Sequence, residues 1–341
     1  TFKGWYTEAD GQGSEVDADT VVTKPADHTL HALWKDETPP AKPVLQDGVT
    51  LPADWTNEQD EIPLKLYDGV GVTELWVSID KNDSYTKVNG FSGGTGSVHY
   101  DYTLVLEGEH TYQFKAKDAA DNTSAGSDIF TIRLDQSKPV IGTLTYENKA
   151  KDFLDWIIGK KSMIVHVPVT DTGSGVAQIG YTLTPGNADG TLAGNGAETK
   201  TAAVTNGEAK ITFDKDFRGT ITIGCTDRAG NAADSMTIGA DGGGVIVEDR
   251  APDITALADR NLSDTQQTRP DGVAISEGYY ASAPALFVTV KDDTGNAVTA
   301  GMDTISYQVG NGPEKPVTFD RSTLQKSAQA AFTIPASEIP T

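Results

Sequence analysis

The sequence predicts an all-β chain of tandem two-layer β-sandwiches in an elongated array, and three observations predict it. Apolar residues alternate with a period of two in short runs. The same pair of runs recurs along the chain. Two of the recurrences close on a matching acidic turn, Lys117-Asp118-Ala119-Ala120-Asp121-Asn122 and Thr226-Asp227-Arg228-Ala229-Gly230-Asn231. Tyr112, Phe114 and Ala116 lead into the first turn on one face, and Ile221, Ile223 and Cys225 lead into the second. A further apolar run, an acid and a proline follow each turn, at Asp135 to Pro139 and at Asp249 to Pro252. The unit reads as a β-hairpin with a stiff exit. Its turn chemistry explains the residue types: Asp accepts N–H groups two residues on, Gly230 or Asp121 takes a positive φ, and Asn231 or Asn122 closes the loop.

Composition sets the bounds. The chain has 341 residues, and the spacing of its junction prolines gives units of roughly 100 residues, the size of a β-sandwich. A net charge of −22 argues against a nucleic-acid role, which depends on clustered Lys and Arg, and disfavours bare anionic lipid. It keeps an exposed protein soluble and supplies carboxylates for divalent cations. Cys225 is the single cysteine, so no intrachain disulfide forms, and its register beside Ile223 marks it as a small buried residue rather than a reactive thiol. No apolar run approaches the roughly 20 residues that span a bilayer, and Thr1 opens no signal peptide.

Taken in order, residues 1–36 stand apart. Phe2-Lys3-Gly4-Trp5-Tyr6, a Gly11-Gln12-Gly13 turn and Pro25-Ala26-Asp27-His28-Thr29-Leu30-His31-Ala32-Leu33-Trp34 resemble the closing half of a Listeria-Bacteroides repeat, the internalin B-repeat. That resemblance implies a partial β-grasp-like unit from a secreted or cell-wall protein of bacteria, with His31 where the family more often has Tyr, and a chain that begins inside a domain. Asp36-Glu37-Thr38-Pro39-Pro40-Ala41-Lys42-Pro43 reads as a semi-rigid extended linker.

Three strand pairs follow. Ile62, Leu64 and Leu66, then Val165, Val167 and Val169, then Leu286, Val288 and Val290 alternate up to Asp68, Asp171 and Asp292. The partner strands are Val72, Leu75, Val77 and Ile79; Val176, Ile179, Tyr181 and Leu183; and Met302, Ile305, Tyr307 and Val309. Domains are expected at 37–137, 138–250 and 251–341, the third lacking its closing hairpin. One stretch breaks the pattern: Asp152-Phe153-Leu154-Asp155-Trp156-Ile157-Ile158-Gly159 has apolar spacing and a terminal Gly that predict a short helical insert near 152–158.

Asp171-Thr172-Gly173-Ser174-Gly175-Val176 ahead of Tyr181, the Asp227 to Asn231 turn and the Asp-to-Pro junctions resemble the bacterial immunoglobulin-like domains strung in tandem on large surface proteins. Departures are Asp68-Gly69-Val70-Gly71-Val72, which lacks the Ser, and Asp121 in place of the turn glycine. The resemblance implies an extracellular location, at the cell surface or in the cell wall, and a monomeric segment of a larger protein. In such a fold the loop after the second strand and the final hairpin loop lie at the end where the chain enters. Asp171 and Asp227 would then converge on Asp135, and Asp68 and Asp118 on Asp36. Hydrogen-bonded turns already account for these acids. The sharper reading is calcium, which takes about 6 to 8 oxygen ligands.

Catalytic chemistry is sparse. Gly90-Phe91-Ser92-Gly93-Gly94 fits the nucleophile-elbow pattern, but a strand rather than the required helix follows it. The five histidines, His28, His31, His99, His110 and His166, show no metal-pair spacing. No catalytic residue and no cofactor is assigned, and no enzyme is expected. Trp76 falls outward between Leu75 and Val77; it either packs against a neighbouring loop or domain or stacks on a sugar face. The expected function is a non-enzymatic stalk or adhesion segment whose partner is a surface protein or glycan. The alternative is a carbohydrate-binding or accessory region of a secreted polysaccharide-degrading enzyme.

Overall fold

The computed structural model describes residues 1–23, 26–81, 84–186, 196–259, 285–292, 298, 300–322 and 327–338; Pro25 of the N-terminal motif and Thr341 lie outside them. The chain is all-β, in several separate sheets. It divides into two units: Thr1–Ser137 with Thr172–Ser174 and Arg228–Asn231, and Lys138–Asp171 with Gly175–Asp227 and Ala232–Thr341.

The first unit opens with a three-stranded sheet, ordered β2 (Glu15–Val16), β1 (Phe2–Tyr6), β3 (His31–Trp34). No described residue of 1–36 is buried. Phe2, Trp5 and Trp34 are exposed, with ring centroids 5.7 Å (Phe2 to Trp5) and 5.3 Å (Phe2 to Trp34) apart. The sandwich that follows is built on the long strand β5 (Glu61–Ile79). Its first half pairs with β4 (Val44–Leu45) and β7 (Gly94–Thr103). Its second half pairs with β6 (Thr86–Lys87) and with β8 (Gly108–Asp118), which in turn pairs with β9 (Phe130–Leu134).

The chain passes from one sheet to the other at Gly69-Val70-Gly71, where Gly71 holds φ at +136°. Alternation does the rest: Ile62, Leu64 and Leu66 of one layer face Leu75, Val77, Tyr112, Phe114, Ala116, Ile132 and Leu134 of the other. Each Leu or Ile so buried contributes about 1.5–3 kcal/mol. A sheet of three strands facing a sheet of four in this order is the immunoglobulin-like arrangement.

The second unit repeats the plan. The strand β12 (Trp156–Thr170) pairs with β10 (Val140–Ile141), β11 (Thr145–Phe153) and β15 (Glu208–Thr212). Opposite them, β13 (Gln178–Pro185) pairs with β14 (Glu198–Ala203) and β16 (Phe217–Cys225), and β16 with β17 (Met236–Ile238) and β18 (Gly244–Val247). Met163, Val165, Val167 and Val169 meet Ile179, Tyr181, Ile221, Ile223 and Cys225 in its core. The third copy, in the same unit, has a sheet ordered β19 (Asp253–Asp259), β20 (Ala285–Lys291), β23 (Ser327–Thr333) and a pair of β21 (Ile305–Tyr307) with β22 (Lys315–Val317). Val288, Val290, Ala328 and Ala330 pack there with Met302, Ile305 and Val317.

The helical insert expected near 152–158 is absent, and a β-hairpin stands in its place. Phe153 pairs with Trp156 across a two-residue turn, and Leu154 and Asp155 both take positive φ, 48° and 63°. That is the backbone of a type I′ turn. Beyond it, Trp156 to Gly159 run parallel to Gly244–Val247, and Trp156 and Ile158 are both buried. The strand partner comes from almost 90 residues away, and it satisfies backbone groups that an isolated turn of helix would leave open. Gly243 permits the approach, since a Cβ there would overlap the backbone carbonyl of Asp155 at the hairpin turn, and Gly244 N–H donates to that same carbonyl at 3.3 Å.

A leucine in the left-handed region costs about 1–2 kcal/mol. Replacing Leu154-Asp155 by Asn-Gly is therefore expected to raise stability by about 1 kcal/mol, read as a higher urea midpoint at unchanged m-value.

Candidate functional site

The acids that end the strands are placed as the repeat requires, and in the first unit their work is visible atom by atom. Asp118 Oδ1 accepts the N–H groups of Ala120 (2.8 Å) and Asn122 (2.9 Å), and its Oδ2 accepts Asn122 Nδ2 (2.8 Å). Asp121 sits at φ 66°, the position Gly230 fills in the other copy at φ 103°. At the layer change, Asp68 Oδ1 accepts Val70 N–H at 2.8 Å and Gly71 N–H at 2.6 Å. Both carboxylates are buried, so these bonds answer groups that water cannot reach.

The turn asparagine does more than close its loop. Asn122 Nδ2 also donates to the backbone carbonyl of Asp36, at 3.2 Å, tying the loop to the entering linker. Asn231 repeats the bond, donating through Nδ2 to the carbonyl of Asp135 at 2.8 Å while accepting Asn57 Nδ2 on its Oδ1. Sequence reasoning missed this tie. Its signal was present in the matched position of Asn122 and Asn231 after matched acids.

Asp135 is fully buried. Its Oδ2 accepts Ser174 N–H at 2.6 Å and its Oδ1 accepts Ser137 N–H at 3.1 Å, while Ser174 Oγ accepts Ala229 N–H. Gly173 is the residue that allows this, because a Cβ there would fall 2.3 to 2.5 Å from the Asp135 carboxyl atoms. In the second unit Asp171 Oδ1 accepts Gly175 N–H at 2.6 Å. A carboxylate oxygen of Asp171 lies within 4.8 Å of one of Asp227. The thiol of Cys225 feels this: burial pushes it up first, and the charges of Asp171 and Asp227 push it further.

Asp36, Asp68 and Asp118 do not converge as expected; they do not bring one ligand atom each within 4.8 Å of the others. Asp68 and Asp118 are each turned into their own loops, and the linker offers Asn122 its carbonyl. The Asp36 carboxylate instead accepts Thr38 N–H on Oδ1, and its Oδ2 is buried without a hydrogen-bond partner among the described residues.

The other candidates are plainly placed. Trp76 is outward and half-buried, its indole N–H on Glu74 Oε2 at 2.9 Å and Lys117 Nζ 5.9 Å from its ring centroid. Ser92 is exposed in the loop before β7, and a strand, not a helix, follows it. His166 faces outward, its Nδ1 2.9 Å from Glu208 and its Nε2 3.0 Å from Glu147. His110 Nδ1 lies 3.0 Å from Asp80 Oδ2, and Asp80 Oδ1 accepts Thr111 N–H.

Three outcomes are expected. Asp135→Ala leaves two backbone donors without their acceptor, a loss of about 2–4 kcal/mol in a denaturant melt, and Gly173→Ala moves stability the same way. The Asp80 hydrogen bond raises the pKa of His110 above its ordinary 6.5, against burial. The same bond, with Thr111 N–H, lowers that of Asp80 below its ordinary 3.8. Their contribution is present in full between those ordinary values. It is lost as pH rises through the elevated His110 value or falls through the depressed Asp80 value. His110→Gln should flatten both limbs of a plot of Tm against pH.

No family model matches the chain, and no curated protein matches it. Among solved structures it is similar to the fibronectin(III)-like modules of Clostridium thermocellum CbhA, at 11% identity and a TM-score of 0.24 over 60% of this chain and 94% of that one. A 1.5-MDa bacterial ice-binding adhesin gives 14% identity and 0.25, over 80% of each chain. A Ca2+-stabilized ice-binding adhesin of an Antarctic bacterium gives 17% and 0.25, over 93% and 71%. Likenesses of this size carry no functional argument, and the β-sandwich assignment rests on the strand order and cores described above.

Proposed function

We propose that this chain is a non-enzymatic structural and adhesion segment of a bacterial cell-surface or secreted protein. Its immunoglobulin-like repeats would act as a stalk, with the N-terminal sheet as part of a Listeria-Bacteroides repeat. The observation that carries the reading is the duplicated tie of turn asparagine to linker carbonyl, Asn122 to Asp36 and Asn231 to Asp135. A segment that transmits force or holds a spacing needs its linkers fixed, and here the same fixing bond is made twice by matched residues. Buried Pro40 and Pro43 in the first linker act in the same sense by restricting φ. The partner would be a surface protein or a glycan, met outside the cell.

A carbohydrate-binding or accessory role is the second reading, and the exposed Phe2, Trp5 and Trp34 cluster favours it. Exposed aromatic faces stack on apolar ligand surfaces, whereas Trp76 is already engaged by Glu74 and Lys117. A glycan array decides between them. The stalk expects no hit; a hit lost on Trp34→Ala or on Trp76→Ala would give the function to that ring and displace the stalk reading.

Calcium at Asp171 and Asp227 has its own test. Hydrogen-bonded turns alone predict superimposable thermal melts in calcium and in EDTA. A Tm that calcium raises and EDTA lowers again would make those carboxylates ligands.

A further inference from the structure

The β11–β12 hairpin reaches beyond the sheet that it belongs to. Trp156 and Ile158 of its second strand form an apolar cluster with Ile246 of β18, and Phe153 packs against this cluster together with Val298 and Ala300, which lie just before β21 in the third copy. Arg218 stacks over the ring of Trp156, 4.5 Å from its centroid. Charges frame the patch: Lys151 Nζ is 2.6 Å from Asp303 Oδ2. Arg321, itself paired with Asp303, lies 5.6 Å from the centroid of Phe153.

The connecting chain is pinned at the same place. Arg250 donates through Nη2 to Asp216 Oδ2 at 2.9 Å and to the carbonyl of Val298 at 3.2 Å. Its own N–H donates to Glu248 Oε2, and Glu248 N–H donates to the carbonyl of Gly159 in the second strand of the hairpin. Lys161 lies 3.6 Å from Asp216 and 3.7 Å from Asp249. Among the described residues the first copy has no hairpin of this kind: its β5 enters at Glu61 and pairs in its first half with β4 and β7.

We propose that this hairpin is a clamp that locks the third copy onto the second, so that the two open as one cooperative body and residues 248–252 do not act as a hinge. The partner surface is apolar at its centre, at Val298 and Ala300, and ionic at its rim, at Asp303 and Arg321. A buried centre supplies most of the affinity in such an arrangement and the rim sets its register. The inference concerns the molecule's mechanics and stands whether or not the chain serves as a stalk.

Trypsin reads the clamp directly, because the Arg250 side chain that it must bind is half-buried and held by Asp216 and the Val298 carbonyl, although Ala251 beyond it is exposed. Cleavage there follows the population of the locally opened state. With the full chain, and the cut at Arg250 followed by mass, Val298→Asp is expected to raise the rate about tenfold or more, the effect of roughly 1.4 kcal/mol of lost closure. Lys151→Glu, a partly exposed change that sets like charges against each other at Asp303, is expected to raise it severalfold. Lys149→Glu, whose ammonium pairs with Asp152 on its own strand, is expected to leave it unchanged. Should Val298→Asp unfold the third copy by circular dichroism, the two lysine variants decide alone. Equal cutting of wild type and Lys151→Glu, or equal effects of the two lysine changes, would overturn the clamp.

Discussion

Backbone donors without ladder partners, in the turns that follow buried strands, are the constraint around which this chain is built. Where a strand of a sandwich stops, the chain turns through a loop whose N–H groups have no ladder partner, and one left open where water is excluded costs on the order of 1–3 kcal/mol. The chain answers with an aspartate at the strand end. Asp68 takes two such donors where β5 changes layers, and Asp118 takes two more at the closing turn. Asp135 takes two from different segments. An ionised carboxylate suits this task because it only accepts, with about four lone-pair sites on two oxygens. The acidity of the sequence is thus partly spent inside the fold.

Two different physics fix the linkers. At Asp36 and Asp135 the fixing element is a single directional bond from an asparagine amide to a backbone carbonyl. Such a bond is worth about 1 kcal/mol net, but it admits only one geometry. At residues 248–252 the fixing element is apolar area with a charged rim, worth more energy per contact and less demanding of angle. Bonds of the first kind set register, and packing of the second kind sets strength.

The sandwiches were legible because period two is a local property. Ile62, Leu64 and Leu66, or Val165, Val167 and Val169, announce which face is buried without reference to any partner, and the buried sets match the alternation. The turns were legible for the same reason, since Asp118, Asp121 and Asn122 act on one another within five residues. The helix expected at 152–158 failed because Phe153, Leu154, Trp156, Ile157 and Ile158 fit either period over so short a run. Its outcome was settled by Gly244–Val247, a strand the local pattern does not name. Asp36, Asp68 and Asp118 failed to converge because each found a nearer backbone partner first.

The sequence by itself determined the strand alternation, the repeat, the acid-capped turns and the inward place of Cys225. These follow from steric and hydrogen-bonding rules that act between residues a few positions apart. Only the tertiary structure decided that Asn122 and Asn231 hold linker carbonyls, that Gly173 makes room for Asp135, and that Trp156 meets Val298 and Ala300 in one cluster. Those pairings join segments up to about 140 residues apart, where chain entropy leaves the choice of partner to the packing of the whole.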